Sequence, residues 1–273
     1  MKALKKFEHK NILITGAASG IGEALTYELS RVAANLFLMD RNWEQLSVVG
    51  DKSNAIRSDA AAADYSTQIF HVDFSDASSI DKVVADITKA GQSFDYIFLN
   101  AGISQRALTL DTDIAVDRKI MEVNYFGPVY LIKQLSGMLK SGRPVHLAVT
   151  NSISGLFGFP LRSAYCASKH ALFGFFESLA LENDHIKVTF LIPGRVNTPI
   201  SKSAILADGS TYSKMDSGQA GGIDVRKCAR IALRAVAKGK RRKLIGGKEL
   251  LMVYIKKYIP PLFYLLANRI SAT

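Results

Sequence analysis

The sequence predicts an α/β fold built on a doubly wound parallel sheet, formed as a single domain with a C-terminal helical tail. Short apolar runs alternate along the chain with segments of helical period, a pattern typical of a parallel sheet with helices on both faces. A length of 273 residues fits one large domain better than two, and 48% hydrophobic residues suffice to cover both faces of the sheet. We place the domain in residues 1–247 and the tail in residues 248–273.

The first predicted strand leads into a glycine-rich turn. The apolar run at residues 12–14 suits a buried parallel strand, and Thr15-Gly16 ends it. Gly20 and Gly22 then precede a predicted helix over residues 23–31. Glycines let the backbone approach a pyrophosphate, which binds the free amides of a helix N-terminus. The spacing meets the general dinucleotide pattern only loosely, so an ordinary glycine turn is an equal alternative.

A second predicted strand, over residues 35–39, ends at Asp40. In a dinucleotide fold a carboxylate about twenty residues after the glycine turn holds the adenosine ribose hydroxyls. Asp40 would repel a 2′-phosphate and so favours NAD, whereas the adjacent Arg41 would attract that phosphate and favours NADP. We give the carboxylate more weight, because burying it against a phosphate is the costlier mismatch. The sequence therefore favours NAD(H), with NADP(H) as the alternative.

Three polar side chains in the second half of the chain suit the chemistry of an alcohol and a carbonyl. Tyr165 and Lys169 lie one helical turn apart, so their phenol and ammonium share a helix face. A free phenol titrates near pH ~10, and a fixed cation beside it is expected to lower that pKa toward neutrality. Ser152 could hydrogen-bond the same substrate oxygen. Taken alone, the pair is more often an ordinary helix tyrosine with a solvated lysine.

Together these motifs resemble the classical short-chain dehydrogenase/reductase family. Its cofactor turn TGxxxGIG stands at residues 15–22, its NAG motif at residues 100–102 and its PGxVxT segment at residues 193–198. The resemblance covers roughly residues 8–247. It implies a Rossmann fold and an NAD(P)-dependent oxidoreductase that interconverts a secondary alcohol and a ketone.

The resemblance also implies the role of each site residue. Tyr165 would transfer the hydroxyl proton, Lys169 would lower the pKa of Tyr165 and hold the nicotinamide ribose, and Ser152 would polarise the carbonyl. Asn124 would orient a water that relays protons through Lys169. The implied cofactor-binding positions are Thr15, Gly16, Ser19, Gly20, Ile21, Gly22, Asp40, Arg41, Asp73, Phe74, Asn100, Ala101, Gly102, Tyr165, Lys169, Pro193, Gly194, Val196 and Thr198.

Fewer sequence features bear on the substrate site. Leu156, Phe157 and Phe159 resemble the hydroxysteroid-dehydrogenase-like branch of the family and could line a site for an apolar or lipid-like substrate; packing of their own loop is an equal alternative. Residues 200–222, rich in Ser, Gly and Lys, are interpreted as a mobile substrate loop. Asp224 is placed to cap the helix that follows.

The formal net charge of +11 is concentrated near the C-terminus, beside two apolar clusters. Lys256-Lys257 and Pro260-Pro261 interrupt the apolar stretch, which excludes a spanning helix of ~20 residues. A basic, aromatic segment in two pieces suits the surface of an anionic membrane. The competing interpretation is a lid over the substrate pocket or a subunit contact, with the lysines in water. Nothing beyond charge favours nucleic acid.

Cys166 and Cys228 are the two cysteines, so a structural disulfide is not expected and a cytoplasmic location fits, with peripheral membrane contact as an addition. The N-terminal residues show no signal peptide, and the five histidines lack metal-ligand spacing, so no metal is expected. The resemblance implies a homodimer or homotetramer that pairs through the helices carrying Asn124 and Tyr165. The alternatives to an enzyme are a non-catalytic dinucleotide sensor or scaffold and a basic membrane-surface adaptor.

Overall fold

A seven-stranded parallel sheet in the order β3-β2-β1-β4-β5-β6-β7 organises the described part of the chain. The computed structural model describes residues 3–59 and 64–267, so residues 268–273 of the predicted tail lie outside the described residues. The strands are β1 (Asn11–Thr15), β2 (Asn35–Asp40), β3 (Thr67–His71), β4 (Tyr96–Leu99), β5 (Val145–Thr150), β6 (Ile186–Pro193) and β7 (Arg242–Ile245).

Helices cover both faces of the sheet. The helices are α1 (Gly20–Leu29), α2 (Trp43–Asp59), α3 (Ala77–Lys89), α4 (Ile114–Met121), α5 (Gly127–Gln134), α6 (Ser136–Leu139), α7 (Ser163–Glu182), α8 (Ser217–Ala220), α9 (Val225–Ala237), α10 (Leu251–Tyr258) and α11 (Pro260–Ala267). One turn of π-helix, Glu122–Phe126, joins α4 to α5. This arrangement confirms the predicted doubly wound parallel sheet.

Two hydrophobic clusters explain why the strands are apolar on both sides. Ile12 and Ile14 of β1 face the cluster that contains α1, α2 and α9, whereas Leu13 faces the cluster built with α3, α4, α5 and α7. Each strand alternates between the two cores, and parallel strands buried on both faces show continuous hydrophobic runs for this reason. Strand order reverses between β1 and β4, and the crevice at such a reversal is where ligands bind in open α/β sheets.

Two local predictions differ from the structure in detail. Helix α1 begins at Gly20 rather than after Gly22, which places both glycines in its first turn. Residues 200–222 are more structured than the predicted loop, since they contain helix α8 and β-bridges from Ile205 to Gln105 and Thr211. Asp224 caps α9 as predicted, because its carboxylate accepts a hydrogen bond of 2.8 Å from the Lys227 amide.

The tail folds back onto the domain as two short helices. Helices α10 and α11 meet at Ile259, before the two prolines. Phe263 is 3% exposed and packs edge-on against Phe157, with ring centroids 5.0 Å apart. None of the helices in the described ranges is both long and apolar enough to cross a membrane.

Candidate active site

A cleft of about 310 Å³ opens at the carboxyl ends of the central strands. The residues that the sequence assigned to the site lie in separate segments, yet most of them line this one cleft: Gly16, Ser19, Gly20, Ile21, Asp40, Arg41, Asp73, Phe74, Asn100, Ala101, Gly102, Ser152, Tyr165, Lys169, Pro193, Gly194, Val196 and Thr198. Thr15, Gly22 and Asn124 lie behind its wall and shape it indirectly. The fold therefore gathers the predicted positions at one site.

Tyr165 lies in the first turn of α7 and is 7% exposed. The start of this helix is fixed from outside, because the Ala164 amide donates a hydrogen bond of 3.0 Å to the side-chain oxygen of Gln105. The positive end of the helix dipole favours negative charge at this position. The end of the helix therefore favours the phenolate, whereas burial of the side chain acts against it.

Ser152 is the second residue after β5 and carries the second hydroxyl of the site. Its amide donates to the side-chain oxygen of Asn151 at 2.7 Å, and the Asn151 amide group donates to the Lys169 carbonyl at 2.8 Å. Asn151 thus fixes the end of β5 against α7. The hydroxyls of Ser152 and Tyr165 both line the cleft, and Ser152 acts to lower the pKa of Tyr165, so the two groups lie side by side.

Lys169 is buried beneath Tyr165. Its Nζ donates a hydrogen bond of 3.0 Å to the Thr150 carbonyl and lies 5.8 Å from the centroid of the Tyr165 ring. Burial lowers the pKa of Lys169 to about 8. The ammonium therefore loses its proton more readily than an exposed lysine, which suits a group that passes protons near neutral pH.

The expected low pKa of Tyr165 is not what the structure shows. Burial raises the pKa of Tyr165 above its ordinary value, and this exceeds the lowering by the hydrogen bond with Ser152 and by the charges of Arg162 and Arg106. The prediction of a lowered Tyr165 pKa was wrong, because it considered the charge of one cation and omitted the desolvation of a buried phenol. The arginines that act on the phenol were also outside the predicted set.

Asn124 lies in the π-helical turn between α4 and α5 and is fully buried. Its amide nitrogen donates to the Ile103 carbonyl and the Ser168 hydroxyl, both at 3.0 Å, and its oxygen accepts from the Ile103 amide at 2.8 Å. The side chain therefore clamps the segment after β4 to helix α7. π-turns of this kind are frequent at functional sites.

The glycine turn is shaped for close backbone approach. Gly16 has φ 66°, and a Cβ there would lie 2.7 Å from the Cα of Ala101. A Cβ at Gly22 would collide with the Gly16 carbonyl oxygen. Thr15 joins this turn to the NAG motif, because its hydroxyl accepts hydrogen bonds from the amides of Asn100 and Ala101 at 2.9 and 3.0 Å.

Two carboxylates mark the far end of the cleft. Asp40 accepts from the Ala18 amide at 3.0 Å and from the Asn42 amide at 2.9 Å, so it is held at the tip of β2. Burial acts to raise the pKa of Asp73, but hydrogen bonds from Ser75 and the charges of Arg41 and Lys119 bring that pKa below its usual value. Arg41 lines the same end of the cleft as Asp40.

A second cavity, of about 740 Å³, adjoins the cleft and shares Ser152 and Arg162 with it. Residues 216–223 and the first turns of the tail line it. Phe159 also lines this cavity, whereas Phe157 packs in the core against Phe263. The cavity therefore has aromatic and charged walls next to Ser152.

The tail is tied to the site by a residue that the sequence did not single out. The Glu249 carboxylate accepts from the Arg195 amide at 2.9 Å and from the Gly247 amide at 3.0 Å. A side chain at Gly194 would collide with Glu249. Gln219 similarly joins α8 to residues 193–198, since its amide group donates to the Val196 carbonyl and the Thr198 hydroxyl.

A buried ionic cluster was also missed. Arg106 and Arg162 both meet Asp216, although the three residues are far apart in sequence. No motif connects them, and a charged residue in a polar segment looks like any solvated one. The one available signal was the position of Arg162 one helical turn before Tyr165.

The residues of the cleft fit a nicotinamide dinucleotide. The glycine turn leaves the space that a Cβ would fill, the first turn of α1 directs amides toward a pyrophosphate, and Asp40 can accept from ribose hydroxyls. Lys169 at the other end suits the nicotinamide ribose.

The chain belongs to the short chain dehydrogenase family, a family of oxidoreductases, because the sequence profile of that family matches residues 10–208. Its hydroxysteroid-dehydrogenase-like branch stays a prediction.

Among the relatives, dehydrogenase/reductase SDR family member 7B of Xenopus laevis is 35% identical over 93% of this chain and 79% of its own length. The SDR family protein 7-like of Anopheles gambiae is 34% identical over 97% of this chain and 84% of its own length.

Two solved structures share the fold. A short chain dehydrogenase/reductase from Burkholderia phymatum in complex with NAD superimposes with a TM-score of 0.79 and 20% identity, over 94% of this chain and 96% of the other. An alcohol dehydrogenase from Thermococcus sibiricus complexed with 5-hydroxy-NADP gives a TM-score of 0.73 and 21% identity, over 88% and 97%.

Proposed function

We propose that the protein is an NAD(P)-dependent oxidoreductase that interconverts a secondary alcohol and a ketone on an apolar or lipid-like substrate. The observation that carries this proposal is the grouping of Ser152, Tyr165 and the buried Lys169 in one cleft, which also contains the dinucleotide-binding residues. A protein that only binds a dinucleotide has no use for a buried phenol and ammonium in the same cleft.

The chain's own residues handle the proton. In reduction, Tyr165 donates its proton to the carbonyl oxygen while Ser152 hydrogen-bonds that oxygen; in oxidation, Tyr165 takes the proton back. Lys169 stabilises the phenolate that forms and passes a proton toward the π-turn at Asn124. When bound, the nicotinamide dinucleotide supplies or accepts the hydride. Since the Asn124 side chain is used as a clamp, we assign water binding at this turn to its backbone.

The test is a panel of ketones and secondary alcohols assayed by nicotinamide absorbance with each cofactor. Tyr165→Phe should lower turnover by ~10²–10⁴-fold, because the proton donor is lost, and leave cofactor affinity within a few-fold. A variant that keeps more than about a tenth of the wild-type rate would show that another group transfers the proton. Tight dinucleotide binding without turnover of any carbonyl would instead support a sensor or scaffold.

For the cofactor we propose NAD(H), supported by the fixed carboxylate of Asp40 at the ribose end of the cleft. Equilibrium titration should show tighter binding of NADH than of NADPH, and Asp40→Ala should narrow or invert the difference. A preference for NADPH of tenfold or more, about 1.4 kcal/mol, would assign the selection to Arg41.

We propose that the two faces of the tail have different functions, one as a lid and the other as a membrane contact. The inner face covers the second cavity with Glu249 and Met252, and Phe263 anchors the tail against Phe157. The outer face exposes Tyr254, Tyr258 and Leu265 beside the lysines at 256 and 257, and this combination supports contact with an anionic membrane surface. The full chain should co-sediment with phosphatidylserine vesicles more than with phosphatidylcholine vesicles, and a chain ending at Gly247 should not.

The salt dependence of vesicle binding distinguishes the contribution of the lysines from that of the apolar side chains. Electrostatic attraction is screened at physiological ionic strength, whereas apolar contact persists. No binding of the full chain even at low salt would rule out the membrane contact and leave the lid.

Two further proposals concern assembly and location. Phe126 and Leu181 are exposed on the elements that carry Asn124 and Tyr165, which supports pairing of two or four copies there. Cys166 and Cys228 are both free and buried, which supports a reducing compartment such as the cytoplasm.

A further inference from the structure

Gln219 lies on the short helix α8 and was outside the predicted set of site residues. It is half-buried, and it lines both the cofactor cleft and the second cavity. It therefore stands where residues 216–223, on the wall of the second cavity, meet residues 193–198, on the wall of the cleft.

The backbone around Gln219 is held in place by hydrogen bonds between these two segments. The Ile223 amide donates to the Arg195 carbonyl at 2.9 Å, and the Ile223 carbonyl accepts from the Asn197 amide at 3.0 Å. Within the turn, the Gln219 amide donates to the Asp216 carbonyl at 3.0 Å. Helix α8 is thus fixed beside the residues that line the cleft.

Hydrogen bonds also fix which way the side-chain amide of Gln219 points. Its Nε2 donates to the Val196 carbonyl and to the Thr198 hydroxyl, the latter at 3.3 Å. A backbone carbonyl can only accept, so the nitrogen must lie on the Val196 side. The Oε1 of the same amide is therefore directed away from Val196.

The other acceptors of this wall are already used within the chain. The Val196 carbonyl accepts from Gln219 and also from the Thr198 hydroxyl, the latter at 3.4 Å, so both of its lone pairs are engaged. Val196 and Thr198 are 2% and 8% exposed. Within residues 3–59 and 64–267, the Oε1 of Gln219 has no hydrogen-bond partner, so it is available to a ligand in the cleft.

A dinucleotide in the cleft would bring its nicotinamide ring to this wall. Thr198 packs on the glycine turn, since a Cβ at Gly20 would lie 3.3 Å from the Thr198 Cβ. Hydride transfer needs the ring beside the carbonyl carbon at Ser152 and Tyr165, which line the same cleft as Gln219. The ring carries a neutral primary carboxamide, whose nitrogen is a hydrogen-bond donor that suits a neutral amide oxygen.

We propose that the Oε1 of Gln219 accepts a hydrogen bond from the carboxamide nitrogen of a bound nicotinamide dinucleotide. This inference rests on the proposed nicotinamide-dependent function and adds a residue of α8 to the cofactor site. Gln219 is a binding residue in this assignment, and Val196 and Thr198 orient its amide. Because Gln219 also lines the second cavity, it connects the nicotinamide to the segment beside the substrate.

The test is equilibrium titration of the full chain with NAD⁺, 3-acetylpyridine adenine dinucleotide and ADP-ribose. The acetylpyridine analogue keeps the ring carbonyl but has a methyl group in place of the amide nitrogen, and ADP-ribose lacks the ring. The wild type should bind NAD⁺ ~3- to 10-fold more tightly than the analogue, the range expected for one neutral hydrogen bond. If the chain prefers the phosphorylated cofactor, the 2′-phosphorylated forms of the same three ligands are used.

Gln219→Met removes the amide and keeps the length of the side chain. This variant should bind NAD⁺ and the analogue about equally, with affinity for ADP-ribose within about twofold of the wild type. Gln68→Met is the matched control, because Gln68 is exposed on the outermost strand β3. Its ratio of the two affinities should equal that of the wild type. Thermal melts verify that each variant is folded.

The outcomes separate this inference from the proposed function. The carboxamide contact is wrong if the wild type shows no preference for NAD⁺ over the analogue, or if Gln219→Met keeps the wild-type ratio or binds NAD⁺ more tightly. An equal loss of affinity for ADP-ribose would also overturn it, because Gln219 would then only support the cleft. In each of these cases, turnover of a ketone by the wild type leaves the oxidoreductase standing. If Gln219→Met loses the preference but the wild type turns over no carbonyl, the contact stands and the oxidoreductase fails.

Discussion

The cofactor end and the substrate end of the cleft are built in different ways. The cofactor end consists mainly of backbone: glycines that touch neighbouring main chain, the first turn of α1, and Thr15 holding the amides of Asn100 and Ala101. The substrate end consists of side chains from distant segments, such as Arg162 and Asp216, which form an ion pair, and Glu249, which accepts hydrogen bonds from backbone amides. Backbone contacts leave little freedom for substitution, whereas side-chain contacts can change with the substrate.

The largest expected effect is a loss of dinucleotide affinity when one carbon is added at the cofactor end. Gly22→Ala places a methyl group against the Gly16 carbonyl, and the backbone must move to accommodate it. Overpacking of this kind costs ~1–3 kcal/mol, so we expect dinucleotide affinity to fall by ~10- to 100-fold in equilibrium titration.

The matched control is Gly174→Ala, on the exposed side of α7, where an added Cβ meets nothing within 4 Å. Alanine in a helix interior is favoured over glycine by ~0.5–1 kcal/mol, so this variant should be slightly more stable and bind cofactor normally. Similar affinity in Gly22→Ala and the control would show that the turn is not as tightly constrained as its geometry indicates.

The same contrast explains how much could be predicted from sequence. The fold followed from alternating strands and helices, and the cofactor end followed from short motifs, because contacts between backbone and glycine recur at fixed local spacing. Arg106, Arg162 and Asp216 could not be predicted, since their meeting depends on how residues 200–222 fold over the sheet. The raised pKa of Tyr165 was missed for a related reason: desolvation depends on the whole enclosure and not on one neighbouring cation.

An effect of intermediate size, on Tm and on substrate KM, is expected where the tail joins the substrate end. Glu249→Ala leaves the Arg195 amide without its carboxylate acceptor, and an unsatisfied polar group of this kind costs ~1–3 kcal/mol. We expect a lower Tm and altered KM values across a ketone series, with dinucleotide affinity close to wild type.

Glu177→Ala is the comparison for Glu249→Ala, because Glu177 pairs with Arg242 on the surface, where an ion pair contributes ~0–1 kcal/mol. Its Tm and KM values should remain close to those of the wild type. If dinucleotide affinity falls as far as substrate KM rises in Glu249→Ala, then the tail supports both ends of the cleft and the division between them is wrong.

The effect that appears only at alkaline pH concerns Lys169, where the two ends meet. Burial brings the pKa of Lys169 from 10.5 to about 8 in the folded protein. Between these values the unfolded chain binds more protons than the folded one, so stability rises with pH. Relative to Lys169→Met, the wild type should gain unfolding free energy between pH ~8 and ~10, as the buried ammonium loses its proton. Urea melts of both proteins at several pH values measure this difference directly. A difference that stays constant over the range would mean that Lys169 titrates like an exposed lysine, and that the junction of the two ends is open to solvent.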